Sequence, residues 1–211
     1  MTGALELPGL WSLSRATGLV LIVLLSVTLA IGMLATARRT PSWWPRFATA
    51  ALHVNLALLS IGLLVAHIAV TVLDGFVDIS LTGALLPFTA DYEPVWTGLG
   101  TVAALLLVTA AVTAGARRYL PPALWRRTHY VTHLAWPVAV VHGVGVGTDS
   151  ASPASAAVTL GCVGLVTFAT VLRFSTSSDH GWARLSARAA AVAFPIVIGV
   201  WLGVVASGGT S

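Results

Sequence analysis

Six stretches of this chain run for about twenty residues with almost no charged side chains, the length at which a helix crosses the hydrocarbon core of a bilayer. They lie at roughly 15–37, 47–73, 95–116, 124–147, 154–174 and 187–207. The polar breaks between them are chemically sensible. "ARRTPSWWPR" (37–46) combines charge, proline and interfacial tryptophan. "DGFVDISLTGALLPFTADYEP" (74–94) reads as a longer, acidic, partly ordered loop. "RRYLPPALWRR" (117–127) is a tight basic turn, "GTDSASP" (147–153) a small polar one, and "RFSTSSDHGWAR" (173–184) is polar and basic. The pattern predicts an all-α protein: a six-helix transmembrane bundle forming a single domain over 1–211.

Composition sharpens that picture. The chain is 57% hydrophobic and only 9% charged, where a soluble domain carries about 25% charged residues. Its solvent is therefore mainly lipid. All eleven basic residues are arginines, clustered in the turns, which is how topology signals are arranged rather than a nucleic-acid surface. Ten of them (38, 39, 46, 117, 118, 126, 127, 173, 184 and 188) fall on one side of the six spans, and Arg15 alone falls on the other. Six of the seven acidic residues oppose the arginine side. The positive-inside rule makes that side cytoplasmic, so the expected protein is a multi-pass component of the cell membrane with both termini extracytoplasmic. The first span has no basic segment before it and reads as a membrane helix rather than a cleaved signal. Cys162 stands alone, which excludes a disulfide within the chain, and no CxxCH occurs to attach a c-type haem.

The candidate chemistry sits in "LHVNLALLSIGLLVAHIAV" (52–70), an apolar run with a histidine near each end. Imidazoles inside a span cost free energy and persist mostly where they bind or pair with something. Five of six histidines lie in spans 2 and 4, which run parallel; His180 is in a polar loop and reads as solvated. His53 and His67 are 14 positions apart, on one helix face and about 21 Å apart along the axis. His129 and His142 are 13 apart, about 19.5 Å, so the pairs match in height: His53 with His129, His67 with His142. On an ideal helix the second pair misses alignment by about 140°, and Pro137 between them supplies a means of rephasing.

A bare metal would want further carboxylates, thiolates or imidazoles, and none is near. A b-type haem needs only two axial imidazoles and has an apolar body. Two matched pairs thus imply two haems b, both six-coordinate and suited to electron transfer, with His53, His67, His129 and His142 as iron ligands. The plainer reading of any one of them is a hydrogen bond between helices. His133, one turn after His129, fits that spacing poorly and reads as a partner to a ligand or to a propionate. Arg46, Arg126 and Arg127 are candidates for propionates on the cytoplasmic side, with topology signals as the plainer account. Arg15, which breaks the charge rule at the start of span 1, is the candidate on the other. Trp136 falls between the two haem levels, with a lipid- or core-facing role as the plainer reading. Gly143, Gly145 and Gly147 would let a helix end approach a porphyrin, and a simple end-of-span glycine cluster explains them equally well.

The histidine spacings, "HVNLALLSIGLLVAH" and "HYVTHLAWPVAVVH", resemble those of the ferric-reductase-like transmembrane superfamily, which includes ferric reductases, NADPH oxidases and the haem-binding subunit of a methionine sulfoxide reductase system. "SRATG" (14–18), "PF" (87–88) with "VWTGLGT" (95–101), "WRRTH" (125–129) and "HGVGVGTD" (142–149) resemble bacterial members. The resemblance covers about residues 12–150 by motif and the last two spans by hydropathy. It implies haem ligation by His53, His67, His129 and His142. His133 departs from it, an aromatic residue being expected there. Eukaryotic relatives continue into a flavin and nicotinamide domain. This sequence has no GxGxxG, so the expected electron source is a separate flavin reductase, with an extracytoplasmic acceptor. The chain would then be an oxidoreductase component dependent on that partner. Two alternatives stand beside this reading. One is a quinol-oxidising cytochrome b. The other is a non-redox transporter subunit, which predicts discontinuous helices with acidic residues in mid-membrane.

Overall fold

A computed structural model of the chain describes residues 9–36, 45–74, 77, 79–147, 152–175, 197 and 201. The described residues contain helices and no strand. Seven α-helices follow one another: α1 Leu10–Thr36, α2 Arg46–Leu73, α3 Leu81–Leu85, α4 Pro94–Gly115, α5 Pro122–Val131, α6 Ala135–Val146 and α7 Pro153–Ser175. Four of them, α1, α2, α4 and α7, are long and apolar enough to cross a membrane. The protein is a multi-pass membrane protein with bilayer lipid as its environment.

The helix starts follow from local chemistry. Proline opens α4, α5 and α7, where its missing N–H costs no helical bond. At α7 the Ser152 hydroxyl accepts from the Ser155 N–H at 3.3 Å. Inside the spans, several threonine hydroxyls donate back to main-chain carbonyls, as Thr109 does to Leu105 at 2.7 Å and Thr170 to Val166 at 2.7 Å.

Four of the six expected spans correspond to unbroken helices, with ends shifted by a residue or so except at α1. That helix begins at Leu10, so Arg15 lies more than a turn inside it rather than at its start. The expected fourth span is not one helix. It divides into α5 and α6 around a 3₁₀ turn at Thr132–Leu134. Pro137 gives the reason: it cannot donate to the carbonyl four residues back, that of His133, and its ring crowds that carbonyl. The tighter turn advances each residue by about 120° instead of 100° and by about 2.0 Å instead of 1.5 Å. Over three residues that recovers about 60° of the 140° misalignment and stretches His129–His142 to about 21 Å. The expected sixth span, 187–207, lies outside the described residues apart from Val197 and Trp201, both helical. His180, Arg38, Arg39, Arg184 and Arg188 also lie outside them, as does the side chain of Arg46.

The expected loop 74–94 carries a helix of its own. Ser80 caps α3 by accepting from Gly83 N–H at 3.1 Å, and Ile79, Gly83 and Ala90 are buried. Thr101 of α4 donates to the Ala84 carbonyl at 3.1 Å and holds the loop down. Phe88 adopts a left-handed φ of 65° beside Gly98, where any side chain would overlap its ring.

The chain divides into two compact units. The first holds α1 up to Ile22, α2 from Leu58, and the described residues from there to Gly147. Its core includes Leu21, Ile22, Ala103, Ala135, Trp136, Val140 and Val144, and α4 packs closely on α6. The second holds α1 from Val23, α2 up to Ala57, and α7. Its core includes Leu25, Ser26, Ala30, Met33, Cys162, Val163, Val166 and Ala169.

Candidate functional site

Within the first unit, His67 of α2 turns its imidazole onto α1. Its Nδ1 lies 3.1 Å from the Ser14 carbonyl and 3.1 Å from Thr17 Oγ1. A carbonyl can only accept, so Nδ1 carries the proton. Thr17 spends its own proton on the Leu13 and Ser14 carbonyls, which leaves its oxygen as a second acceptor. Ser14 donates to Thr71 Oγ1 at 3.0 Å, and Thr71 in turn donates to the His67 carbonyl at 2.8 Å. Gly18 packs against the ring: a methyl group there would sit 3.4 Å from His67 Cε1.

His142 of α6 is held in the same way by α4. Its Nδ1 donates to the Trp96 carbonyl at 2.7 Å. Gly100 lies under the ring so closely that a methyl would be 2.6 Å from Cε1 and 2.7 Å from Nδ1. The favour is returned across the same pair of helices, since any side chain at Gly145 of α6 would overlap the Trp96 indole. His142 and Arg15 both lie within Coulombic reach of the His67 ring.

In the second unit, His53 Nδ1 donates to the Thr28 carbonyl of α1 at 3.0 Å, with Gly32 against the ring. Each of these three histidines therefore has its proton on Nδ1 in the neutral form, and the lone pair on Nε2. That is the tautomer a metal-ligating histidine shows when its second nitrogen is oriented by a carbonyl.

No family model, curated protein or solved structure matches this chain.

The remaining candidates fall as follows. His129 stacks on Trp125, with ring centroids 5.4 Å apart and planes at 16°, and Arg117 covers Trp125 at 4.4 Å. His133 stands edge-on to His129 at 5.6 Å and donates from Nδ1 to the His129 carbonyl at 2.8 Å. Thr132 donates to that same carbonyl at 2.7 Å, so the 3₁₀ turn has side-chain support. Arg126 and Arg127 are exposed on α5. Arg15 donates to the Val146 carbonyl, the last of α6, at 3.3 Å and lies beside Trp11. It thus caps a helix C-terminus, where a cation is favoured. Trp136 is buried in the core. Among the glycines of α6, Gly145 seats an indole, while Gly143 is exposed with nothing near it. Among the described residues no three His, Cys, Asp or Glu side chains come together.

The histidines were legible from sequence; their seats were not. Yet every residue of the "SRATG" motif except Ala16 contacts the His67 site or caps α6, and "VWTGLGT" contains both halves of the His142 seat. The available signal was a glycine four residues after the accepting carbonyl.

Proposed function

We propose that this chain is a di-haem b-type transmembrane electron-transfer protein, ferric-reductase-like, that passes electrons from a cytoplasmic flavoprotein to an extracytoplasmic acceptor. One observation carries the reading: three histidines within apolar helices each commit Nδ1 to a main-chain carbonyl and so keep Nε2 as a ligand nitrogen. A histidine needed only to tie two helices together has no reason to reserve the same nitrogen each time.

The residues fit a haem. The donor set is imidazole without carboxylate or thiolate, and the surroundings are apolar. His67 and His142 would hold one haem, with Arg15 beside them to meet a propionate. The sequence spacing makes His53 and His129 the candidate ligands of the second, with His133 next to His129 and with Arg46 and Arg126 as propionate candidates by their side of the membrane. When bound, such a group supplies a one-electron carrier with both axial positions filled. The chain's own part is to orient the imidazoles, exclude water with an apolar shell, and place cations near the carboxylates. The exposed arginines of the turn before α5 and of α5 itself form a basic face that would speed encounter with an acidic donor.

The interruption at Thr132–Leu134 is the one feature that favours the transporter reading. Pro137 accounts for it, and no acidic residue lies in α4, α5 or α6 to serve as an ion site. The test is an absorption spectrum of detergent-purified protein, oxidised and then reduced. A reduced b-type spectrum with two haems per chain is expected. Protein that remains haem-free after expression with ample haem would end the reading. Reduction by a quinol, with no flavoprotein able to substitute, would move it to a quinol-oxidising cytochrome b. For orientation, cysteines at Ser42 and Ser177 are expected to resist an impermeant thiol reagent in intact cells, while one at Ser150 reacts.

A further inference from the structure

The three seats share a construction that is visible only when they are compared. His67 donates to the carbonyl of Ser14 and packs on Gly18; His53 donates to Thr28 and packs on Gly32; His142 donates to Trp96 and packs on Gly100. In every case the glycine is four residues after the acceptor.

Helix geometry explains the offset. The carbonyl of residue i already accepts from the N–H of residue i+4, and only its second lone pair is open. Each Cα–Cβ bond tilts toward the helix N-terminus, so the β-carbon of residue i+4 overhangs that carbonyl and covers the lone pair. A glycine there leaves it open from the side. A glycine in a helix interior costs about 1 kcal/mol relative to alanine, and here the bare position admits an imidazole. Glycine alone does not make a seat: a methyl at Gly62, Gly115, Gly143, Gly161 or Gly164 would meet nothing. A further bond from a ring Nδ1 to a carbonyl, from His133 to His129, stays within its own helical segment and uses no glycine.

We propose that Gly100 and Gly32 are positioning residues: each opens a main-chain carbonyl to one histidine and thereby fixes that ring with Nδ1 protonated and Nε2 as the ligand nitrogen, while Gly18 holds the same place in its seat with room for a methyl. What Nε2 then binds rests on the haem reading; the seat itself does not. The three are graded by the room they leave. The nearest ring atom to an added methyl is 2.6 Å away at Gly100, 3.1 Å at Gly32 and 3.4 Å at Gly18. The first is an overlap, the second needs a small shift, and the third is ordinary contact.

The experiment uses the full chain labelled with nitrogen-15 histidine, as wild type, Gly100→Ala, Gly32→Ala, Gly18→Ala and the control Gly161→Ala. Nitrogen-15 spectra of the reduced protein, in which low-spin iron is diamagnetic, report which ring nitrogen carries hydrogen. Low-temperature EPR of the oxidised protein counts low-spin haems. We expect Nδ1–H for His53, His67 and His142 in wild type. Gly100→Ala should lose the His142 Nδ1–H signal and one low-spin haem. Gly32→Ala should shift the His53 signal while keeping both haems, and Gly18→Ala and Gly161→Ala should match wild type. Retention of the His142 signal and both haems in Gly100→Ala would overturn the proposal, as would equal damage from Gly161→Ala. Should Gly100→Ala not be recovered with native helical content, Gly32→Ala against Gly18→Ala decides: indistinguishable spectra count against the seats. Wild-type protein without haem would defeat the functional reading alone, because the ring-nitrogen signals still test the seats.

Discussion

His67 and His142 belong to the same compact unit but are held by different means. The His142 seat is a matter of shape: a short 2.7 Å bond, a glycine with no room to spare, and a reciprocal lock in which Gly145 receives Trp96, the residue whose carbonyl takes the imidazole proton. The His67 seat is a matter of hydrogen bonding. Its Nδ1–H is shared between a carbonyl and a hydroxyl at 3.1 Å each, and Gly18 leaves space. A site built by shape resists added volume badly and loss of a single polar group well; one built by shared bonds behaves in the opposite way.

The largest effect should come from removing an imidazole. His142→Ala or His67→Ala is expected to eliminate one haem and leave the other, about half the total in a pyridine haemochrome assay, since an iron with one axial ligand is held weakly. Unchanged haem in both variants would dissolve the comparison, because neither seat would then serve a ligand. Gly145→Ala comes next. Its methyl must displace the Trp96 indole, and overpacking of this kind costs about 1–3 kcal/mol. The expected readout is a lowered midpoint of thermal unfolding with a shift in tryptophan emission. Arg15→Gln removes the cation from the end of α6 and should cost about 0.3–1 kcal/mol. Haem content distinguishes its two roles: a pure cap leaves it unchanged, and a propionate partner lowers it. The smallest effect is expected from Thr17→Val, which deletes one of two acceptors at His67. Interhelical hydrogen bonds in membranes average about 0.6 kcal/mol, so unfolding should barely move while the His67 Nδ1–H resonance shifts. An unchanged resonance would mean that the Ser14 carbonyl alone holds the ring.

Hydropathy made most of the described bundle legible, since α1, α2, α4 and α7 are unbroken apolar runs. It could not show that the fourth run is broken. The break comes just before Pro137, whose missing N–H is an effect of bonding rather than polarity. Loop 74–94 was underestimated for a related reason: Ser80 and Thr101 hold α3 in place through two hydrogen bonds that no periodicity reveals. At the site, histidine is rare enough in a span to stand out by type. Ser14, Thr28 and Trp96 act through their main-chain oxygens, which every residue possesses, and so left no mark on composition.

The break at Thr132–Leu134 bears on how the protein is made. α6 has 12 residues, about 18 Å of helix, against a hydrocarbon core of about 30 Å. α5 has 10 and carries Arg126 and Arg127. Neither segment meets the threshold for leaving a translocation channel into lipid by itself. If the pair crosses the bilayer as the expected fourth span, its entry would draw on neighbours already in place, and α4, synthesised just before it, packs along α6. The His142 seat would then be assembled in the act of insertion. A substitution that weakens the grip of α4 on α6 should register first as a chain caught during biogenesis and degraded, before any change in the mature protein could be measured.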